Sequence, residues 1–171
     1  MEFPKKHLET LWAPWRVEYF ENEKPSSDFL GEAARTSDDA AHLVVTRRKT
    51  AFLMMNRYPY AVGHLMVVPY HKTGELSDLG ENAIVELWTL VIHAQRLLRA
   101  TMKAQGFNVG LNLGECAGAG VPDHLHLHVV PRWSGDTNFM PIISGPRTLS
   151  EGLRGLYDKL MAEQAKFERN G

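Results

Sequence analysis

Residues 124–130 read His-Leu-His-Leu-His-Val-Val, the stretch that is most informative about the fold and its chemistry. Because successive side chains of a β-strand point to opposite faces, this alternation predicts a strand over 123–130 with three imidazoles on one face. The apolar side chains on the other face can join a core. The imidazole face carries three groups that exchange protons near neutral pH, spaced about 6 to 7 Å apart.

Three interpretations of this row of histidines stay open from the residues alone. The imidazoles could be structural, although burying three side by side would leave several donors and acceptors to satisfy. They could bind zinc, but Asp136, the nearest downstream acid, lies beyond Pro131 and a turn signal at Ser134 and Gly135. The third interpretation is a catalytic site that uses the imidazoles as nucleophile, acid or base.

A glycine-rich segment over 110–120, Gly-Leu-Asn-Leu-Gly-Glu-Cys-Ala-Gly-Ala-Gly, precedes the row. Glycine allows the positive φ angles and close backbone approach with which successive N–H groups bind a phosphate. Alone, such a segment is usually an ordinary turn. Beside the histidine row, it predicts a phosphoryl or nucleotidyl transfer site, where loop amides, Gly118, Ala119 and Gly120 among them, and imidazolium groups hold the phosphate.

The chain resembles the histidine triad, or HIT, family, whose motif is His-φ-His-φ-His-φ-φ with φ apolar. HLHLHVV fits this motif at every position. The chain is similar to the bacterial branch of the family, close to diadenosine polyphosphate hydrolases and phosphorylases. The segments that carry the resemblance are LWAPWR at 11–16, MMNRYPYAVGHLMVVPYHK at 54–72, GLNLGECAGAG at 110–120 and HVVPRWSGDTNFMP at 128–141.

The resemblance implies nucleotidyl-histidine chemistry on the α-phosphate of a nucleotide. His126 would be the nucleophile in that chemistry. His124 and His128, together with His64, would support the phosphate and the tautomer of the nucleophile, and Asn56 would lie near the ribose. Attack would form a phosphoramidate, which water or inorganic phosphate would then resolve.

The predicted nucleotide site also includes Asn112 and Trp133. Trp133 could stack on a base or pack in the core. The expected function is hydrolysis or transfer at the α-phosphate of a dinucleoside polyphosphate or a related nucleotide. The alternatives are a diadenosine tetraphosphate phosphorylase and a nucleotide-binding module with little turnover. We expect no obligatory metal, because loop amides and protonated imidazoles can stabilise the phosphate charge, although magnesium can accompany a polyphosphate.

Two departures from the family are visible. Many members carry a Cys-x-x-Cys pair near the N-terminus that helps bind a structural zinc, and the matching place here is Asp28-Phe29-Leu30-Gly31. Cys116 is the one cysteine of the chain, so no structural zinc is expected. Some relatives also have serine, threonine or glutamine shortly before the first histidine, where this chain has GVPD at 120–123. That difference leaves the choice between water and phosphate as acceptor open.

Length and composition predict one domain over 1–171, which the resemblance implies is HIT-like, with a short N-terminal extension over about 1–38. The 19 basic and 20 acidic residues nearly balance, which argues against nonspecific nucleic-acid binding. No apolar run approaches the ~20 residues of a membrane span, and we expect a cytoplasmic protein. The resemblance implies a homodimer, and the aromatic residues Trp12, Trp15 and Tyr19 could belong to the core or to a subunit interface, where such residues are enriched.

Periodicity and turn signals predict an α+β fold with an antiparallel sheet of about five strands. The predicted strands are 41–46, 50–55, 64–69, 107–113 and 123–130. A long helix is expected over 78–104, with Ser77 as N-cap and Gly106 as stop, and a second helix over 150–168. The stripe of the long helix expected to face the sheet is Ile84, Leu87, Trp88, Val91, Ile92 and Leu98.

Overall fold

The computed structural model describes residues 28–136 and 152–169 and confirms the predicted α+β architecture. Its centre is an antiparallel sheet of five strands in the order β1-β2-β3-β5-β4. The elements are α1 (Phe29–Arg35), β1 (Val44–Arg47), β2 (Ala51–Met55), β3 (Leu65–Pro69), α2 (Glu81–Met102), β4 (Gly106–Gly110), β5 (Leu127–Arg132) and α3 (Leu153–Arg169). Short 3-10 turns occupy Leu76–Asp78 and Glu115–Ala117.

The sheet is buried on both faces, and β2 illustrates how. Leu53 and Met55 pack in the larger core, to which α2 and α3 contribute. Phe52 and Met54 point to the opposite face and form a second core with α1. Alternate side chains of one strand therefore enter different cores, which explains why β2 is a continuous apolar run.

Helix α1 lies within the segment 1–38 that the sequence assigns to an N-terminal extension. Leu30 and Ala33 of this helix are fully buried in the second core. Residues 1–27 lie outside the described residues, and with them the predictions made for LWAPWR and for Trp12, Trp15 and Tyr19.

The predicted start of the long helix was wrong. Ser77 does not cap α2 but lies in the 3-10 turn, and the helix begins at Glu81 with Gly80 as N-cap. Between these two elements Leu79 is extended and buried in the larger core. Burial of that side chain interrupts the helix, an effect of tertiary packing that helix-capping rules do not contain.

The predicted stop was also wrong. Lys103 ends α2 by adopting a left-handed conformation with a φ of 54°. Gly106 instead opens β4. The chain turns early because Ala104, only 6% exposed, packs into the larger core directly after the turn.

The stripe predicted to face the sheet was wrong at two positions. Trp88 and Ile92 are 50% and 59% exposed, and Val85 beside them is 59% exposed. These three side chains, spaced at i, i+3 and i+7, form the α2 apolar patch. The side chains that α2 buries are Leu87, Leu90, Val91, Ala94, Leu97 and Leu98.

The strand predicted over 123–130 begins only at Leu127, so His128 is the one histidine of the row within β5. Residues 123–126 lie outside the sheet because they bond to the chain after β3: the Leu125 N–H donates to the Thr73 carbonyl at 2.7 Å. The predicted alternation still holds there, since Leu125 and Leu127 are buried in the larger core. β4 ends at Gly110 instead of 113.

None of the helices within the described residues is long and apolar enough to span a membrane.

Gly63, the residue before His64, has a φ of +80°. A Cβ at this position would lie 2.7 Å from Met102 Sδ and 3.0 Å from Pro131 Cγ. Both the backbone conformation and the packing therefore require glycine, and they set the direction in which the chain delivers His64 to the sheet.

We expect Gly63→Ala to lower the free energy of unfolding by about 1–3 kcal/mol, because the methyl group strains a left-handed backbone and crowds its neighbours. Gly106→Ala is the matched control, since its Cβ would meet only Arg132 Cβ at 3.8 Å. Urea titrations of both variants measure the difference. Equal unfolding free energies would contradict this account of Gly63.

Candidate active site

Three imidazoles meet where β3 and β5 pair. His64 directly precedes β3, and its Nε2 lies 2.9 Å from Nδ1 of His128. The ring of His126 stands edge-on to that of His128, with 4.8 Å between the ring centroids. All three side chains are buried. The sheet thus brings together His64, His126 and His128, residues up to 64 positions apart in the sequence.

Hydrogen bonds determine the tautomers of His64 and His128. The Tyr60 N–H donates to His64 Nδ1 at 3.1 Å, so that nitrogen carries no proton. A neutral His64 therefore holds its proton on Nε2 and donates it to His128 Nδ1. The proton of a neutral His128 then sits on Nε2. The chain of bonds thus makes His128 Nε2 a hydrogen-bond donor.

His126 has the opposite tautomer. Its Nδ1–H donates to the main-chain carbonyl of His124 at 2.9 Å. The proton of a neutral ring is therefore on Nδ1, and Nε2 carries a lone pair. This is the arrangement that a nucleophilic imidazole requires, and the ring that carries the lone pair stands edge-on to the ring of the donor His128.

His124 orients His126 through its backbone carbonyl, and its own ring bonds to the main chain at the end of β3. The His124 Nε2–H donates to the Pro69 carbonyl at the end of β3, at 2.9 Å. Its Nδ1 is buried without a hydrogen-bond partner among the described residues. The imidazole therefore anchors the segment before β5, whereas the carbonyl of the same residue orients His126.

Asn56 lies behind His64. Its Oδ1 accepts from the Tyr58 N–H at 2.8 Å, and its Nδ2 lies 3.2 Å from His64 Nδ1. The side chain is buried, with 7% of the residue exposed. These contacts support His64 and the turn after β2, and the predicted place of Asn56 near a ribose stays a prediction.

The glycine-rich loop uses part of its own hydrogen-bonding capacity. The Gly118 N–H donates to the Glu115 carbonyl at 2.9 Å, and the Ala119 N–H donates to the Gly114 carbonyl at 3.3 Å. Two of the amides predicted to hold phosphate therefore have partners inside the loop. Gly120 is exposed, with no atom of the surrounding structure within 4 Å of a Cβ built on it. Phosphate binding by Gly118 or Ala119 requires these internal bonds to open.

Asn112 connects this loop to the imidazoles. Its Nδ2 donates to the Gly118 carbonyl at 3.4 Å and lies 3.4 Å from His128 Nε2, a contact between two donors in the tautomer assigned above. The donor nitrogen of His128 consequently faces the loop, as expected for a site that holds a phosphate between loop and imidazoles. Asn112 is thus brought to the site.

Trp133 is not brought to the site within this chain. It follows β5 five residues beyond His128, about 16 Å along an extended strand. Its indole N–H donates to the Met102 carbonyl at 3.4 Å, and its ring packs against the larger core. These contacts favour the packing alternative over base stacking.

The sequence offered no signal for Tyr60, which the structure places over the imidazoles. The Tyr60 ring centroid lies 4.7 Å from that of His64 and 5.3 Å from that of His128. The side chain is 41% exposed, so it shields the two rings on one side while meeting solvent on the other. A tyrosine in a turn has no periodicity from which this contact could be inferred.

The imidazoles are neutral at pH 7. Burial, followed by the proximity of His128 and His126, lowers the pKa of His64 to about 3. Burial and then His126 lower the pKa of His128 to about 4. Burial also lowers the pKa of both His126 and His124. The imidazoles that the sequence analysis expects to be protonated beside a phosphate are therefore neutral in the ligand-free protein, because burial disfavours the charged form.

The residues in the place of the family's cysteine pair do not fit a structural zinc ion. Gly31 has no side-chain ligand, and the Asp28 carboxylate already contacts Lys72 and Arg35. Within 28–136 and 152–169, no group of three or more histidine, cysteine or acidic side chains is arranged to hold a metal ion. A structural zinc site normally requires four ligands.

Comparisons with known proteins agree with the geometry. Residues 37–135 match the family model described as HIT domain. The chain is 40% identical over 172 residues to a Mycobacterium tuberculosis protein named AP-4-A phosphorylase, covering 95% of this chain and 87% of the relative. It is 30% identical over 115 residues to a bis(5'-nucleosyl)-tetraphosphatase (asymmetrical) of Schizosaccharomyces pombe, covering 67% of this chain and 63% of that relative. A solved zinc-bound histidine triad family protein from Mycobacterium smegmatis has a TM-score of 0.63 at 25% identity, over 75% of this chain and 88% of that one.

The neutral imidazoles predict that stability falls as the pH drops from 6.5 to about 4. In the unfolded chain a histidine titrates near 6.5, whereas folded His64 and His128 stay neutral down to about 3 and about 4. The unfolded state therefore binds more protons in this window. Each such imidazole costs up to about 1.4 kcal/mol of stability per pH unit, and its contribution is complete above pH 6.5.

Thermal melts across this pH range measure how steeply stability changes with pH in the wild type and in His64→Asn. The variant should show a shallower slope, since it lacks one of the two groups. His71→Asn, which removes an exposed imidazole, is the control. Identical slopes for the wild type and His64→Asn would count against a neutral buried His64.

Proposed function

This chain belongs to the HIT domain family, and we propose that it cleaves a dinucleoside polyphosphate by transferring a nucleotidyl group to His126. The observation that carries the proposal is the bond from His126 Nδ1–H to the His124 carbonyl, at 2.9 Å. It leaves the Nε2 lone pair free to attack phosphorus, with His128 beside it. The names of the relatives support this substrate class.

The first step makes one bond and breaks one. The Nε2 lone pair of His126 bonds to the α-phosphorus, and the bond from that phosphorus to the bridging oxygen breaks. The electron pair stays on that oxygen, which leaves with the rest of the polyphosphate. A phosphate leaves as an anion and needs no proton, so the His128 N–H has only to donate a hydrogen bond to the developing charge. The neutral relay from His64 suits that task, since it keeps His128 Nε2 a donor.

The second step returns the ring to its resting state. The attacked imidazole carries a positive charge while the nucleotidyl group is attached, and its Nδ1–H remains against the His124 carbonyl. An acceptor oxygen then bonds to the phosphorus, and the bond from phosphorus to Nε2 breaks with its electrons on nitrogen. We propose inorganic phosphate as this acceptor because the AP-4-A phosphorylase of M. tuberculosis is similar over 95% of this chain.

The surroundings of the reaction follow from the same chemistry. Magnesium enters bound to the polyphosphate as part of the substrate, and hydrogen-bond donors carry the chemical step. The near balance of 19 basic and 20 acidic residues favours a small nucleotide over a nucleic acid as ligand. The exposed free thiol of Cys116 suits the reducing cytoplasm.

Two unpartnered surfaces support a homodimer. The α2 apolar patch exposes more than half of Val85 and Ile92 and half of Trp88. β4 forms an edge of the sheet, so one side of its backbone lacks a strand partner within the described residues. Exposed apolar patches and open edges are typical of surfaces that a second copy covers.

We expect His126→Ala to abolish turnover of diadenosine tetraphosphate while nucleotide binding survives, because the substitution removes the nucleophile and leaves the loop. The rate should fall by several orders of magnitude, since enzymatic enhancements commonly exceed ~10⁶. Product analysis with and without phosphate, and with and without chelator, measures the reaction, with His71→Ala as the control.

ADP that forms only when phosphate is present supports a phosphorylase, whereas AMP formed with water supports a hydrolase. Binding without products would favour a nucleotide-binding module, and loss of activity with chelator would favour a metal site. An active His126→Ala enzyme, or labelled nucleotide trapped on another residue, would disprove the assignment of the nucleophile.

For the homodimer, we expect Trp88→Glu to convert a wild-type dimer into monomers, because the charge would be buried at the interface. Sedimentation velocity measures the oligomeric state. Leu76→Glu is the matched control, since Leu76 is also an exposed large apolar residue but lies outside the α2 apolar patch. A monomeric wild type, or a dimer that tolerates Trp88→Glu, would refute the proposed interface.

A further inference from the structure

A lysine joins two carboxylates next to the segment that carries His124 and His126. Lys72 Nζ lies 2.9 Å from Asp28 Oδ1 and 2.9 Å from Asp123 Oδ2. Asp28 directly precedes α1, and Asp123 directly precedes His124. These three side chains are here named the lysine bridge. They connect α1 to residues 123–126, here named the histidine segment, through the chain that follows β3.

The orientation of Asp28 is unusual for its place in the helix. Asp28 is the N-cap residue of α1, yet its side chain makes no capping hydrogen bond. An aspartate at this position normally accepts from an N–H of the first turn and stabilises the helix. Here the carboxylate turns to Lys72 and to Arg35, whose Nη2 lies 2.9 Å from Oδ2. The helix lacks this cap while the carboxylate holds the bridge.

Gly31 provides the space for that carboxylate. A Cβ on Gly31 would lie 2.5 Å from both carboxylate oxygens of Asp28, closer than atoms can approach without a shift. Any side chain at this position would displace the carboxylate. The two residues that stand in the place of the family's zinc-binding cysteines are thus adapted to each other, the glycine leaving the room that the aspartate fills.

The histidine segment is held closely along the chain that follows β3. The Leu125 N–H donates to the Thr73 carbonyl at 2.7 Å, and a Cβ on Gly74 would lie 2.6 Å from the Pro122 carbonyl oxygen. The lysine bridge adds side-chain ion pairs to this contact. Asp123 lies one residue before His124, whose carbonyl orients the nucleophile.

We propose that the lysine bridge positions the nucleophile: by holding Asp123, Lys72 fixes the His124 carbonyl that orients His126, without a metal ion. Nδ1 of His124 and the Asp28 carboxylate are too few ligands for structural zinc, and the ammonium group already occupies the carboxylate. Lys72 is a positioning residue, since it contacts neither His126 nor the imidazoles beside it.

The exposure of the bridge predicts how its loss would show. The side chains of Lys72, Asp28 and Asp123 are 41%, 29% and 63% exposed. Ion pairs that are open to solvent contribute little to stability, so unfolding should change only slightly. Orientation at a reacting centre is far more sensitive, since small displacements there cost large factors in rate. A loss of kcat that exceeds the loss of stability is therefore the signature of positioning.

The kinetic test compares Lys72→Met, Lys72→Arg and Lys166→Met in phosphorolysis of diadenosine tetraphosphate, and this readout rests on the proposed function. We expect Lys72→Met to lower kcat about 5- to 10-fold with KM changed less than about twofold. Lys72→Arg should restore most of kcat, because a guanidinium can also bridge two carboxylates. Lys166→Met is the matched control, since it breaks an exposed lysine–glutamate pair on α3.

A second test does not depend on activity. Amide hydrogen exchange at Leu125 reports whether the histidine segment stays bonded to Thr73. We expect exchange at Leu125 to accelerate in Lys72→Met and to remain at the wild-type rate in Lys166→Met. If the wild type did not turn over the substrate, the proposed function would be wrong. The exchange rates at Leu125 would still show whether the lysine bridge holds the histidine segment.

A third variant moves the carboxylate without changing any charge. Gly31→Ala should displace Asp28 and lower kcat nearly as much as Asp28→Ala does, and the double variant should be no worse than Asp28→Ala alone. Wild-type kcat and wild-type exchange in Lys72→Met would overturn the proposal. So would equal losses in Lys72→Met and Lys166→Met, or one tightly bound zinc ion per chain in the purified protein.

Discussion

The bond from His126 Nδ1–H to the His124 carbonyl is the interaction on which the site depends. It assigns the ring proton to one nitrogen and leaves a lone pair on the other, and without it a neutral imidazole would exchange between two tautomers. Donor and acceptor are only two residues apart, so the bond requires a particular backbone conformation of the segment before β5. That conformation is maintained by contacts with the chain after β3, including Leu125 N–H to the Thr73 carbonyl.

Burial sets the electrostatic character of the same site. The sheet and its cores exclude water from the imidazoles, which lowers the pKa of His64 to about 3 and that of His128 to about 4. Neutral rings can pass a hydrogen-bond direction from one to the next, whereas two adjacent imidazolium ions would repel each other. Because the rings are neutral, the ligand-free site has no preformed positive charge on these imidazoles to attract the phosphate. The site therefore offers directed N–H donors in place of cations.

Much of the fold and the location of the site could be predicted from the sequence, because alternation and turn signals are local. The sequence predicted the buried alternate positions Leu125 and Leu127 and the five antiparallel strands. It did not predict where the elements begin: α2 begins later than expected because Leu79 is buried, and β5 begins later because Leu125 bonds to Thr73. These depend on tertiary contacts that no short window of sequence contains.

Tertiary packing also explains which contacts the sequence did not predict. Trp88 lies within a helical stripe by spacing, yet the direction of the helix on the sheet leaves it 50% exposed. Lys72 and Asp123 are 51 positions apart and carry ordinary surface charges, so only the fold reveals that they meet. Asn56 and Trp133 were inferred near a nucleotide, and the contacts that the fold gives them are to His64 and to the end of α2.

Long-range ¹H–¹⁵N correlation spectra of the histidine rings of the ligand-free protein at pH 7 test the central claim most directly, because the two ring nitrogens report each tautomer. We predict a neutral His126 protonated on Nδ1 and neutral His64 and His128 protonated on Nε2. His126 protonated on Nε2, or an imidazolium pattern for any of the three, would contradict it.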